Sequence, residues 1–411
     1  MKRNCRAEKK RRAAVGVALL LAVAATVISV FACVDGVAFA GNSAQEDVEK
    51  ELSDNVDGTI ERIDVDLFRE FLDSLSDEQL AAVGIGDLKE ALRTMTQSGA
   101  ADFFQNFLSA FASVVGKYFL GFLPGFVTIV VICLLKNMLS GMTSGFNGTS
   151  TTQVVHVVCY SAVIVILMTG AVKVIVTVTE TVNTLAAFSE AVFPVLITLL
   201  AAVGGASGAA VYQPFMAVLS GFVIKLIQVV IIPAFIATIV FSVVGNISKN
   251  VKLDKLTKLF KSGAVWLIGI VFGLFATFLT AQGITGGVID RLGFNAAKFA
   301  VSSYVPVLGG YLSDGFDLLS ASVVLVKNAV GLTGVIVLMA IILFPLLQLV
   351  IFMLGLRLTA AVVEPVGDTG TSSVLGALAD NMSLLITALT GVGFMFFLLL
   401  MLIIGSCNLG V

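Results

Sequence analysis

Five polar side chains inside long apolar segments are the first candidates for chemistry: Lys225, Gln228, Lys327, Asn328 and Lys173. Gln228 follows Lys225 by about one helical turn, which places both on one face of a helix. A charge in the middle of a bilayer costs roughly 2.5 to 3.5 kcal/mol, so these groups should face a wet cavity, the bundle interior or a partner subunit. The alternative is that the aliphatic part of a lysine side chain extends along the helix, so that its ammonium group reaches the lipid headgroups. That alternative fits Lys173 well, and it fits Lys225 poorly because Lys225 lies 13 residues into its segment.

A serine motif raises the question of intramembrane proteolysis. Gly205-Ala206-Ser207-Gly208 matches the Gly-x-Ser-Gly of rhomboid-type proteases, in which a histidine from a later helix activates the serine. The sequence has one histidine, His156, and it precedes Ser207 by 51 residues. Small residues that allow close helix packing are therefore the favoured interpretation. The sequence has no Walker motif and no paired cysteines. We therefore predict that the protein is not an enzyme and that it binds no cofactor, metal ion or nucleic acid.

A basic segment sets the orientation. Its lysines recur at every third position: Lys249, Lys252, Lys255, Lys258 and Lys261. The segment includes only one acid, Asp254. By the positive-inside rule, its excess of lysines places it in the cytoplasm. Two interpretations stay open: a solvated loop that sets topology, or a helix lying on an anionic leaflet.

The amino-acid composition indicates that these residues are held by a protein that lies mostly within a membrane. The chain has 411 residues, of which 58% are hydrophobic and 13% charged, with a mean hydropathy of +1.03. A soluble domain carries about a quarter charged residues, so a soluble enzyme is excluded and most of the chain is solvated by lipid. Sixteen of the 27 acids lie in 41–102, and seven of the 25 bases precede Ala13.

The N-terminus is typical of a secretory signal peptide. Seven bases precede an apolar run from Ala13 to Phe31, and Ala38-Phe39-Ala40 has small residues at the −3 and −1 positions. We therefore expect a signal peptide over 1–40, with an uncleaved anchor helix as the alternative. In both cases the residues after 40 begin outside the cytoplasm.

Residues 41–116 form a small acidic extracytoplasmic region with helical periodicity. One apolar stripe joins Leu67, Phe68, Phe71, Leu72 and Leu75, and a second joins Phe103, Phe104, Phe107, Leu108 and Phe111. We expect the stripes to pack against each other. The alternative is that the second stripe lies at the outer headgroups or contacts a partner. Ser76 with Gln79 has the pattern of a capping box.

Residues 117–411 form a helical transmembrane domain, so the predicted class is all-α and polytopic. Segments of about 20 apolar residues, enough to cross a bilayer, occur at 118–139, 154–176, 212–245, 263–282, 320–354 and 383–405. They do not alternate in character as barrel strands would.

Residue 117 is expected outside the cytoplasm and the basic segment inside it. If the apolar piece 185–210 also crossed the membrane, the number of crossings between them would be even, which contradicts this assignment. We therefore expect it to dip in and return to the outer face, with its reversal at Gly204, Gly205 and Gly208. A second piece, 297–312, is its possible counterpart. Segments 118–139, 212–245 and 320–354 then run inward, the other three run outward, and Arg357 falls inside.

Repeated prolines indicate two parallel copies, about 185–282 and 297–405. Pro194 and Pro306 are 112 residues apart, and so are Pro233 and Pro345. A coincidence among seven prolines is the alternative. We expect Pro233 and Pro345 to kink the two long helices.

Several stretches resemble the stage III sporulation protein AE family. They are Ala297-Lys298-Phe299, Val305 to Gly309, Leu312-Ser313-Asp314 and Ser320 to Leu332, together with Gly204-Gly205, Gln213-Pro214 and Ala281-Gln282-Gly283. The resemblance covers roughly 110–411, and the acidic region only by position. It implies a mother-cell membrane component of the apparatus between mother cell and engulfed forespore, alongside other stage III membrane proteins and opposite stage II sporulation protein Q. The resemblance carries no catalytic residues with it.

Two functions follow as hypotheses. The first is a non-enzymatic membrane subunit of the secretion or feeding channel needed for endospore development. The second is an autonomous secondary transporter with Lys225 and Lys327 at its substrate site.

Overall fold

A computed structural model describes residues 58, 70–72, 75, 80, 101–143, 149–247, 253–304, 309–366 and 369–406. The predicted signal peptide, the Ser76–Gln79 capping box, most of the acidic region, Lys249 and Lys252 lie outside the described residues. Within them the longer segments are helical apart from short turns such as 203–205, and no strand is present. The prediction of an all-α protein is confirmed.

Seven α-helices make up the described bundle. In chain order they are α1 (Ala101–Thr143), α2 (Thr149–Ala202), α3 (Ala206–Leu226), α4 (Ile232–Ile247), α5 (Asp254–Tyr304), α6 (Gly309–Val363) and α7 (Thr369–Gly405). A π-helical segment, Ile227–Ile231, joins α3 to α4, and a short 3₁₀ turn, Glu364–Val366, follows α6.

Six helical stretches are long and apolar enough to cross a membrane. They are Ser113–Met142, Val154–Ala202, Gly208–Gly245, Asp254–Thr280, Leu319–Val366 and Thr369–Gly405. Each overlaps one of the predicted spans, so the prediction of six spanning segments agrees with the structure. A helix satisfies its own backbone hydrogen bonds, which is why such apolar sequences form helices in lipid.

Three helices greatly exceed the thickness of a bilayer. α2 has 54 residues, α5 has 51 and α6 has 55. At 1.5 Å per residue each is about 75 to 85 Å long, whereas the hydrocarbon layer measures about 30 Å. Each of these helices is therefore much longer than the crossing of the hydrocarbon layer requires.

α2 and α3 form an antiparallel hairpin. Gly204 has a φ of 95°, and its N–H donates to Ala201 O at 3.1 Å, while the N–H of Gly205 donates to Leu200 O at 2.9 Å. This is a Schellman turn, which needs a residue with positive φ, hence glycine. A Cβ on Gly205 would lie 2.9 Å from the carbonyl oxygen of Leu200.

Residues 185–202 continue α2 without a break, so the structure differs from the expected separate dip. The long apolar run lets α2 propagate until the glycines end it. The chain does reverse at Gly204 and Gly205, and Gly208 lies in the first turn of α3. Asn183 and Gln228, 22 residues before and 23 after Gly205, are hydrogen-bonded, which shows that the returning chain runs alongside α2.

The two repeated prolines in the long helices have different surroundings. Pro233 follows the π-helical segment. Proline has no N–H to donate to Val229 O, and the wider π-helical turn is compatible with this missing hydrogen bond. Pro345 lies inside α6 with no interruption of the α-helix. The description as two repeats therefore stays a prediction.

α6 is the central helix of the bundle. Its glycines allow close approach: a Cβ on Gly331 would lie 2.3 Å from Ile404 of α7, and one on Gly355 would lie 2.0 Å from Phe126 of α1. On α7, a Cβ at Gly393 would lie 2.5 Å from Ile342 of α6. Small residues at such crossings let transmembrane helices gain packing contacts, which replace the hydrophobic effect inside lipid.

The few described residues of the acidic region include one that contacts α2. Phe71, Leu72 and Leu75 are buried, and the ring of Phe71 meets the ring of Phe188 on α2 edge-to-face at 5.7 Å between centroids. Phe71 of the first predicted stripe thus contacts α2, Leu67 and Phe68 lie outside the described residues, and packing of the two stripes on each other stays a prediction. The second stripe belongs to α1, which runs without interruption into the first spanning segment.

Candidate functional site

Lys327 lies in a buried polar node on α6. Its side chain is fully buried, and Nζ donates to the carbonyl oxygen of Ser406, the residue after α7. The last carbonyls of a helix lack intrahelical partners and carry the negative end of the helix dipole, so a lysine is well suited to this position. The hydroxyls of Tyr212 and Ser406 are 3.5 Å apart. We call Lys327, Ser406 and Tyr212 the Lys327 node; it joins α6, α7 and α3.

Asn328 is the next residue after Lys327, but it takes no part in the hydrogen bonds of the Lys327 node. Its Oδ1 atom is buried and has no hydrogen-bond partner in the part of the chain that the structure describes. A buried acceptor left unsatisfied costs about 1 to 3 kcal/mol. Asn328 is therefore a position where the bundle carries a polar group at a cost in stability.

Lys225 and Gln228 lie on the hairpin. Gln228 belongs to the π-helical segment, and its Nε2 donates to Oδ1 of Asn183 on α2 at 2.8 Å. Lys225 is exposed, as is Asn183. Asn183 was not predicted as a site residue, because only the antiparallel return of the chain brings it to Gln228.

The structure does not unite Lys225 and Lys327 in one site. Tyr212, which belongs to the Lys327 node, is 13 residues from Lys225 along α3, or about 20 Å. Lys225 is exposed whereas Lys327 is buried. Lys173 is a third, separate lysine, exposed on α2.

A second polar group lies at the other end of α6 and α7. Nη2 of Arg357 is 3.2 Å from Oδ1 of Asp380, and Nζ of Lys261 donates to the backbone carbonyl of Asp380. We call Arg357, Asp380 and Lys261 the Asp380 cluster; it joins α6, α7 and α5. The side chains of Arg357 and Asp380 are 48% and 62% exposed, so their ion pair adds little stability.

Asn381, the next residue, is buried and ties α7 to α4. Its Nδ2 donates to Ser242 Oγ at 3.0 Å and to Thr238 O at 3.3 Å, and Ser242 Oγ donates to Thr238 O at 2.7 Å. Single buried polar residues of this kind are common in helices, so the sequence alone offered no signal that they meet.

The two polar groups are separated by roughly a bilayer. Lys327 and Arg357 are 30 residues apart on α6, about 45 Å, and Asp380 and Ser406 are 26 residues apart on α7, about 39 Å. A bilayer with its headgroups is about 40 to 45 Å thick. This spacing fits polar groups at the two faces of a membrane, with the apolar middle of α6 and α7 between them.

The predicted basic face is only partly a free surface. Lys255 and Lys258 are exposed in the first turns of α5, whereas Lys261 is partly buried and bonded to Asp380. α5 begins at Asp254 and continues directly into a spanning stretch.

The protease motif is not assembled. α2 is one helix from His156 to Ala202, about 69 Å, and Ser207 lies just beyond its end. His156 is exposed, and its ring stacks on Tyr160 at 6.2 Å. Among the described residues, no group of three or more His, Cys, Asp or Glu side chains could hold a metal ion.

Comparison with known proteins supplies the family. Residues 86–407 match the family described as stage III sporulation protein AE. The chain belongs to this family. It is similar to stage III sporulation protein AE of Bacillus subtilis (strain 168), with 27% identity over 282 residues, which cover 69% of this chain and 71% of the relative. No solved structure matches. Together with the six apolar spans, the match makes the chain a multi-pass membrane protein of a sporulation family.

Proposed function

We propose that this protein is a non-enzymatic membrane subunit of the channel apparatus between mother cell and forespore, located in the mother-cell membrane. Membership of the stage III sporulation protein AE family supports a role in endospore development. The observation that carries the proposal further is the length of α2, α5 and α6, which exceed the hydrocarbon layer by about 45 Å or more. Helices of this length can reach into the space between two membranes.

The charges indicate on which side the extra length lies. The basic segment connects α4 to α5, at the end of the hairpin opposite Gly204. The positive-inside rule places this segment in the cytoplasm and hence the Gly204 turn outside. Phe71 of the acidic region contacts Phe188, which lies in the half of α2 that leads to the turn, 16 residues or about 24 Å before Gly204.

Labelling tests this orientation. In a protein without its native cysteines, Lys255→Cys should react with a membrane-impermeant maleimide only after the cells are permeabilised. A cysteine in place of Ala206, which is exposed in the first turn of α3 directly after Gly204 and Gly205, is the matched control and should react in intact cells. Labelling of Lys255→Cys in intact cells would overturn the topology.

The partners follow from the same proposal. Other stage III sporulation membrane proteins would contact the extended helices, and stage II sporulation protein Q would face them across the intermembrane space. Purification from sporulating cells under mild detergent tests this. We expect other sporulation membrane proteins to co-purify in fixed ratio, and recovery of the active protein alone would contradict a channel subunit.

An autonomous transporter is the second candidate. The observation in its favour is the π-helical segment at Gln228, because such segments are frequent at functional sites. Against it, Lys225 and Lys327 lie in separate places. Flux through the reconstituted protein alone that is abolished by Lys225→Ala would favour the transporter.

A further inference from the structure

One exposed face of α5 combines cations with apolar side chains. Successive residues of an α-helix are 100° apart, which places Lys255, Lys258, Leu259, Ser262 and Trp266 within one arc of about 100°. All five are exposed, Leu259 by 65% and Trp266 by 72%. A large apolar surface thus begins directly beside two lysines that are not used in the Asp380 cluster.

Along this face the cationic residues come first and the apolar residues follow, which matches the order of headgroup and acyl chain in a phospholipid. Lys258 and Trp266 are eight residues apart, about 12 Å along the helix axis. One leaflet contributes about 15 Å of hydrocarbon. With the lysines at the headgroups, Trp266 lies within this leaflet, where aromatic rings are enriched toward the interface.

We propose that this face of α5 binds an anionic phospholipid of the inner leaflet, with Lys255 and Lys258 at the headgroup and Trp266 beside an acyl chain. The charge complementarity determines the choice of occupant. A second copy in parallel orientation would bring two lysine pairs face to face, whereas an anionic headgroup neutralises them. Asp254, on the same helix, is exposed one turn before Lys258 and offsets part of the positive charge, whereas Asp380 is paired with Arg357.

Lipid retention by the full chain tests the proposal. The wild-type protein in nanodiscs of mixed phosphatidylglycerol and phosphatidylcholine should enrich phosphatidylglycerol, and the enrichment should fall as salt is raised. Replacement of both lysines, Lys255→Gln with Lys258→Gln, should weaken the preference by about fivefold per lysine, roughly 30-fold together. Asp254→Asn should strengthen it.

Matched variants keep the test decisive. Arginine at both lysine positions should retain the preference, which separates a loss of charge from a loss of structure. Lys225→Gln removes one exposed lysine elsewhere and should leave the preference unchanged. An unchanged preference in the double glutamine variant would overturn the proposal, as would disulfide-linked dimers formed through Ser262→Cys in native membranes.

Discussion

Two asparagines on neighbouring helices offer a matched test of how this bundle uses buried polar groups. Nδ2 of Asn381 makes two hydrogen bonds to α4, whereas Oδ1 of Asn328 makes none within the described residues. Hydrogen bonds between transmembrane helices contribute about 0.6 kcal/mol on average and at most about 1.7. Asn381→Leu should therefore cost about 1 to 2 kcal/mol. Asn328→Leu removes an unsatisfied acceptor, which costs about 1 to 3 kcal/mol in the native protein, so it should be neutral or stabilising.

Reversible unfolding in mixed micelles, followed by circular dichroism, measures both free energies. A double-mutant cycle that adds Ser242→Ala should show that the loss at Asn381 is not additive with the loss at Ser242, because the two side chains share a hydrogen bond. Equal destabilisation at Asn381 and Asn328, or full additivity in the cycle, would refute this account of the two side chains.

Further predictions concern the Lys327 node and the contact between α1 and α6. Lys327→Met should cost about 1.5 to 3 kcal/mol, since the C-terminal carbonyl of α7 loses a charged donor, and hydrogen exchange should rise in the last turn of α7. Gly355→Ala should destabilise by about 1 to 3 kcal/mol, because the new Cβ would overlap Phe126, and Phe126→Leu should restore part of the loss. Gly376→Ala is the control: nothing lies within 4 Å, so thermal melting should show no loss of stability.

The bilayer makes much of this fold readable from sequence. Backbone groups in lipid must bond within their own segment, so apolar runs of about 20 residues predict helices with little ambiguity. The six spanning stretches, the continuity of α1 from the Phe stripe into its span, and the chain reversal at Gly204 and Gly205 follow from such local properties. The family resemblance likewise rests on contiguous residues.

Helix ends were harder to predict than helix cores. The apolar pattern of 154–176 stops well before Ala202, yet α2 continues, because polar residues such as Glu180 and Asn183 are tolerated on an exposed helix face. Hydropathy reports where lipid is favourable, and it does not report where a helix stops once it leaves lipid. The extra length of α2, α5 and α6 therefore became visible only in the structure.

Tertiary structure alone decided which polar residues meet. From sequence, Lys225 and Lys327 were two similar lysines within apolar runs. The packing of α6 against the end of α7 buries Lys327 on Ser406, while Lys225 stays on the exposed side of the hairpin. Local sequence determines whether a segment is a helix, because that depends on its own backbone and on lipid. In the pairs between helices described above, the partner of a side chain lies 23 to 194 positions away, and only the packed bundle specifies it.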